Sequence, residues 1–317
     1  MRVCLMIEGQ EDVTWEQWLA LAGACEDHRL EALFRSDHYE SVMGMRERGS
    51  LDAWTTLAAL AARTSRIRLG TLVSPATFRH PSVLAKSVAT VDHVSGGRVE
   101  LGLGAGWHEG EHRAYGFEFP PTPVRMERLA EQLELVTRSW TEDALSFEGR
   151  HYQVQDLRAL PKPVQRPRPT LLVGGGAGPK SLALAARFAD EYNTVGVPLA
   201  ELPDRRRRLE EAWREAGRDP ETARLSLMTA TVVGRDRVEV TERVRRVLAV
   251  TGSDASVDEV ADQRPNWLLG TVDEVAERLR SLEAAGVGRV MCQHLDHADT
   301  EMVAVLGEVA ATIGVTP

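Results

Sequence analysis

The chain has 317 residues, 43% of them hydrophobic, with 38 Lys and Arg against 47 Asp and Glu, for a formal charge of −9. That length supports a large core, and the acidic balance argues against a general binder of nucleic acid or of anionic membranes, which carries a basic excess. Three widely spaced cysteines, Cys4, Cys25 and Cys292, form neither a disulfide framework nor a zinc ribbon; with no long apolar run, they point to a reducing, cytoplasmic setting.

Along the chain, short apolar runs alternate with longer amphipathic segments. "RVCLMI" (2–7) precedes a helical pattern over 14–28, and "LEALFRS" (30–36) precedes one over 52–63. "RIRLGTLV" (66–73) leads to 81–93, and "RVELGLG" (98–104) to 124–140. "PTLLVGG" (169–175) leads to 179–188, and "DEYNTVG" (190–196) to 201–216. "LSLMTATVVG" (225–234) precedes 237–250, and "GRVMCQH" (288–294) precedes 299–313. Eight strand-then-helix units predict an α/β fold of the (β/α)8 TIM-barrel type, as one domain over 1–317. Segments 107–168 and 252–287 exceed a crossover; the first carries the 124–140 helix and the second a helix near 271–285. After strands 4 and 7, such insertions lie on the catalytic face of a barrel. The basic run Arg205–Arg208 precedes Glu210 and Glu211 and reads as a solvated helix face.

Four motifs invite a chemical reading. "HEGEH" (108–112) matches the HExxH pattern of zinc peptidases. Gly110 weakens a helix at its centre and Glu111 puts a charge at a packed position, so the segment reads as a polar loop rim with no metal. "GGGAGPKS" (174–181) misses a P-loop because Pro179, which has no N–H, stands where the second Gly belongs. Pro179 instead opens a helix, leaving Gly174–Gly178 as a turn able to seat a phosphate, or as a tight turn only. "GLGAGW" (102–107) ends on Trp107 where a dinucleotide fingerprint has Gly. Two Gly-rich turns at strand ends would let a flat, phosphate-bearing cofactor approach the backbone. Lastly, "RSDHYE" (35–40) sets Ser36, Asp37 and His38 together at the end of strand 2; alone, His38 reads equally as a structural cap of the barrel.

The run 67–116, from "IRLGTLVSPATFRHP" to "GLGAGWHEGEHRAYG", resembles the bacterial luciferase-like monooxygenase superfamily, with support from "RSDHYE", "FEGRHYQV" and "ARFADEYNTVG". The Asp-His pair and the Gly-Ala-Gly-Trp turn look most like the actinobacterial branch that uses coenzyme F420, a 5-deazaflavin; reduced FMN with O2 is the alternative. The resemblance implies a homodimeric TIM barrel acting on a small-molecule substrate, without nucleic acid or membrane as partner. It implies that Asp37 and His38 sit by the reactive ring, with His38 the proton donor, an imidazole being suited to that task. It implies a non-prolyl cis peptide at Leu72–Val73, beside Ser74, that backs the ring. It places phosphate and tail contacts at Ala105, Gly106 and the turn Gly174, Gly175, Gly176, Ala177 and Gly178. Sugar-phosphate dehydrogenases of this branch carry a catalytic Glu where this chain has Trp107, so that substrate class is not expected; Trp107 would form an apolar wall.

Overall fold

Alternation with a period of two decides which residues of each apolar run face which way. In a computed structural model, which describes residues 1–314, eight parallel strands close into a barrel. They are β1 (Arg2–Ile7), β2 (Ala32–Arg35), β3 (Arg68–Thr71), β4 (Val99–Gly104), β5 (Thr170–Gly174), β6 (Glu191–Val195), β7 (Leu225–Gly234) and β8 (Val287–His294). Each pairs with the next, and β8 returns to β1 with Arg2 opposite Arg289 and Ile7 opposite His294. Cys4, Met6, Ala32, Phe34, Leu72, Leu172 and Met291 form the cluster inside the barrel. Their neighbours Val3, Leu5, Leu33, Leu69, Leu101, Leu171 and Val290 pack outward against the helices. Each fully buried aliphatic side chain there contributes roughly 1.5–3 kcal/mol relative to an exposed one.

The crossover helices begin where the sequence supplies caps. Thr14 and Gln17 form a reciprocal capping box before Trp15–Asp27, Asp52 accepts from the Thr55 N–H before Ala53–Ala61, and Pro81 opens Pro81–Ser95. After β4, residues 107–168 hold a short helix (Glu109–Tyr115), the long helix Thr122–Thr141 and a hairpin of Leu145–Glu148 with Gln153–Leu157. The sequence reading made 108–112 a loop. It is helical because Gly110 lies in the first turn, where it interrupts little, and because Glu111 is buried against a partner. After β7 come helices Arg237–Thr251 and Val257–Gln263, a strand Leu268–Thr271 beside β7, and helix Val272–Ala284.

One strand departs from regularity. β3 stops at Thr71, the Leu72–Val73 peptide is cis, and pairing with β4 resumes at Ser74 and Pro75. β4 leaves room for this: a Cβ at Gly102 would stand 2.2 Å from the Thr71 carbonyl oxygen, and one at Gly104 2.7 Å from Val73 Cγ2. These two glycines therefore admit the neighbouring strand, whereas the sequence reading gave the whole turn to cofactor approach.

Candidate active site

The C-terminal mouth of the barrel opens into a cavity of about 540 Å3. Glu8, Ser36 and His38 line it from the ends of β1 and β2, Leu72 and Val73 from β3, and Gly104–Trp107 from β4. Met126 and Leu129 of the long inserted helix, Gly174–Gly176 after β5, and Asn193, Val195 and Met228 complete the wall. A smaller hollow of about 260 Å3 shares Val195 and Met228 and extends the mouth to Asn266 and Trp267 of the second insertion.

His38 is the imidazole on this wall. Its Nδ1 lies 2.6 Å from Glu111 Oε1, and Glu111 Oε2 accepts the Tyr39 N–H at 3.0 Å. Burial by itself lowers the His38 pKa. The hydrogen bond and charge of Glu111, with the carboxylates of Glu8 and Asp37 nearby, outweigh it and raise the pKa above its ordinary value. Burial likewise opposes the charge on Glu111, but His38 and the Tyr39 amide hold its carboxyl below the usual range. With Nδ1 committed to a fully buried carboxylate, Nε2 is the nitrogen left to exchange a proton in the cavity. Trp107, 63% exposed, meets His38 edge-on at 5.6 Å and stacks on His108 at 5.2 Å.

Asp37 bonds away from His38. Past the end of β2, Ser36 and His38 line the mouth and Asp37 does not. Asp37 Oδ2 accepts from Ser74 Oγ and from Arg79 Nη1, both at 2.5 Å. Arg79 Nη2 in turn donates to Tyr39 Oη (2.9 Å) and Asp52 Oδ2 (2.8 Å). Asp37 and Ser74 are thus buried struts of the β2–β3 wall and do not line the cavity. Ser36 Oγ accepts the Gly9 N–H at 2.9 Å and donates to Gln10.

Leu72, Val73, Ala105, Gly106, Trp107, Gly174, Gly175 and Gly176 reach the cavity wall. Two N–H groups of the Gly174–Gly178 turn are already engaged. The Gly175 N–H bonds Asn193 O at 3.1 Å and the Ala177 N–H bonds Tyr192 Oη at 2.8 Å, with Ala177 buried. Among the described residues the N–H groups of Gly176 and Gly178 keep no such partner, and a Cβ at either would meet nothing within 4 Å. They lead into helix Pro179–Phe188, whose N-terminus favours an anion.

Two carboxylates escaped the sequence reading. Glu8 accepts from the amides of Gln10 (2.9 Å) and Gln293 (2.6 Å) inside the mouth; the period running Cys4, Met6, Glu8 already aimed it inward. Glu111 was visible only as a misplaced charge in "HEGEH". That segment builds no metal site: His112 Nε2 meets Thr77 Oγ1 at 2.6 Å and its Nδ1 meets the His108 carbonyl oxygen at 2.7 Å. Among the described residues no cluster of three or more His, Cys, Asp or Glu could hold a metal ion.

Comparison with known proteins covers the whole barrel. The family model for luciferase-like monooxygenases matches residues 3–289. A Mycobacterium tuberculosis protein is 38% identical over 170 residues, 54% of this chain and 58% of its own length, so the match spans little more than half of that relative. An F420-dependent glucose-6-phosphate dehydrogenase of Nakamurella multipartita is 29% identical over 311 residues (91% of this chain, 89% of that one). An FMNH2-dependent dimethylsulfone monooxygenase of Pseudomonas putida is 27% identical over 262 residues (74% and 70%). The solved structure of an F420-dependent secondary alcohol dehydrogenase superposes with a TM-score of 0.84 at 20% identity, covering 99% of both chains, which establishes the shared fold. The closed parallel barrel and the match from residue 3 to 289 place this chain in the luciferase-like monooxygenase family.

Proposed function

We propose that this chain is an F420-dependent oxidoreductase in which His38 exchanges the proton that accompanies hydride transfer to or from a small organic substrate. The observation that carries the proposal is His38, polarised by buried Glu111, on the wall of a largely apolar cavity whose β5 side is an open glycine turn. About 540 Å3 suits a flat cofactor with a small substrate beside it. The residues fit that group: Gly176, Gly178 and the helix that follows would take its phosphate, Leu72 and Val73 would back its ring, and Ala105 and Gly106 would flank it.

When bound, the deazaflavin supplies or accepts the hydride. The protein's share is to exclude water and handle the proton. In the reducing direction the substrate carbon gains the hydride, and His38 Nε2 gives its proton to the atom that takes up negative charge. Glu111 keeps the imidazolium available by stabilising its charged form. Asp37 serves by position: through Ser74 and Arg79 it fixes the wall on which His38 and Val73 stand. We carry the resemblance further to a cytoplasmic homodimer built from one barrel unit per chain, whose mass by sedimentation should be twice that of the chain. In the described residues no helix is long and apolar enough to cross a membrane.

The similarity to an FMNH2-dependent monooxygenase keeps one competitor, reduced FMN with O2. Side-by-side fluorescence titration with oxidised F420 and FMN separates the two. Saturable binding of F420 in preference to FMN is the expected result; tight FMN binding with none for F420 would overturn the cofactor assignment.

A further inference from the structure

Next to the catalytic mouth lies a separate pocket of about 510 Å3. Ser41, Gly44, Arg46 and Arg48 line it from the segment after β2, and His108 and Arg113 from the segment after β4. Its three arginines are not equivalent. Arg48 is already engaged, with Nη1 on Glu11 Oε2 at 3.0 Å and Nη2 on the Val250 carbonyl oxygen at 2.5 Å. Arg46 and Arg113 are exposed, and among the described residues neither guanidinium has a hydrogen-bond or carboxylate partner. Glu40 is the one acid on this wall.

The contrast with the rest of the surface matters. In the run Arg205–Arg208 every guanidinium meets an acid one helical turn away: Glu201, Glu210, Glu211 and Asp204. A chain of charge −9 thus neutralises its most basic stretch, yet leaves two guanidiniums free at one hollow. His108 links the two hollows: it lines this pocket, stacks on Trp107 of the mouth, and stands 6.2 Å from the His38 ring.

We infer that this pocket is an anion subsite, in which Arg46 and Arg113 hold a carboxylate or phosphate at the far end of a substrate whose reacting carbon lies beside His38. The guanidinium fork matches the paired oxygens of either group. The placement of the reacting carbon rests on the function proposed above; the binding of the anion does not. Two sources could supply the anion, the substrate or the acidic tail of the cofactor. The substrate is favoured because the open phosphate seat, Gly176 and Gly178, follows β5, whereas the arginine pocket is built from the segments after β2 and β4.

The test uses the intact chain and titrates inorganic phosphate, and separately succinate, at constant ionic strength. Fluorescence is the readout, since Trp107 stacks on the pocket wall. Saturable binding is expected in the wild type, about tenfold weaker in Arg46→Ala and in Arg113→Ala, as for loss of one charge-assisted pair, and absent in the double variant. Arg214→Ala, on the outer helix, should bind as wild type. Non-saturable response, or equal binding by the double variant, overturns the subsite. If the double variant loses affinity for oxidised F420 as well, the pocket serves the cofactor tail and the substrate assignment falls. Retained anion binding in a chain that binds no F420 would sustain the subsite while removing the function proposed above.

Discussion

At the N-terminal end of the barrel, Arg289 reaches Glu100 at 2.8 Å and Glu191 at 3.5 Å, while Arg68 joins Glu100 and Arg2 joins Glu31 and Glu191. At the C-terminal end, 2.6 Å separates His38 from Glu111, and Glu8 faces the same space. Both ends place ionised groups out of water, where an unpaired charge is costly. Below, fixed guanidiniums balance the acids: burial works against Glu100, yet Arg289 and Arg68 hold it down at about 2. Above, the balancing cation is an imidazole that can release its proton. Buried charge is structural where its partner cannot titrate and chemical where it can.

Exchanging the titratable partner should therefore cost turnover, and exchanging the fixed one should cost stability. The largest effect is expected for His38→Gln, about 10²–10⁴-fold lower turnover of reduced F420 with a panel of small carbonyl compounds, the usual worth of a positioned proton donor. Its loss of stability in urea should be smaller than that of Arg289→Met, because Glu111 keeps the Tyr39 N–H as a donor. Unimpaired turnover in this variant would remove His38 from the proton role. Arg289→Met should do the reverse. It removes the buried cation that Glu100 and Glu191 share, and unfolding in urea should show a loss of about 3–5 kcal/mol. A loss below about 1 kcal/mol would mean that Arg68 and Arg2 suffice, and that the lower end is less tightly balanced than its geometry indicates.

How much of this was legible from residues alone follows from the same alternation. The eight units and the helix starting at Pro179 were readable because apolar periodicity and Pro at a first turn are local signals. Val73 was placed by resemblance, since nothing local in "GTLVSP" announces a bulged strand. Asp37 faces Arg79 rather than the mouth that its neighbour His38 lines, which adjacency in sequence does not reveal. Glu111 is 73 positions away from His38, and only folding reveals which carboxylate meets which imidazole. Arg46 and Arg113 were equally silent, for an unpaired guanidinium is defined by the acids that fail to reach it.

A third test concerns imidazoles whose nearby acids do not offset burial. His294 and His297, at and just beyond the end of β8, are buried, and burial pushes both down to about 4. As pH falls below about 6.5, the unfolded chain takes up protons that the folded chain refuses, so stability should decline progressively to about pH 4. The decline should amount to roughly 2–3 kcal/mol per imidazole, and His297→Gln should flatten it in thermal melts across that range. A melting temperature indifferent to pH there would show that these rings protonate in place.

The smallest effect is the sharpest discriminator between the two ends. Glu111→Gln keeps the hydrogen-bonding shape but removes the charge that lifts the His38 pKa, leaving burial to lower it. The alkaline limb of kcat/KM should move down by about a pH unit or more. Stability obeys the same sign. A raised histidine pKa stabilises the fold below the unfolded-state value, and that contribution disappears as pH rises through the folded-state value. Wild type should therefore exceed Glu111→Gln in stability by more at pH 6 than at pH 9. An unmoved alkaline limb would make Glu111 a mere packing partner, and the mouth would then resemble the silent lower end of the barrel.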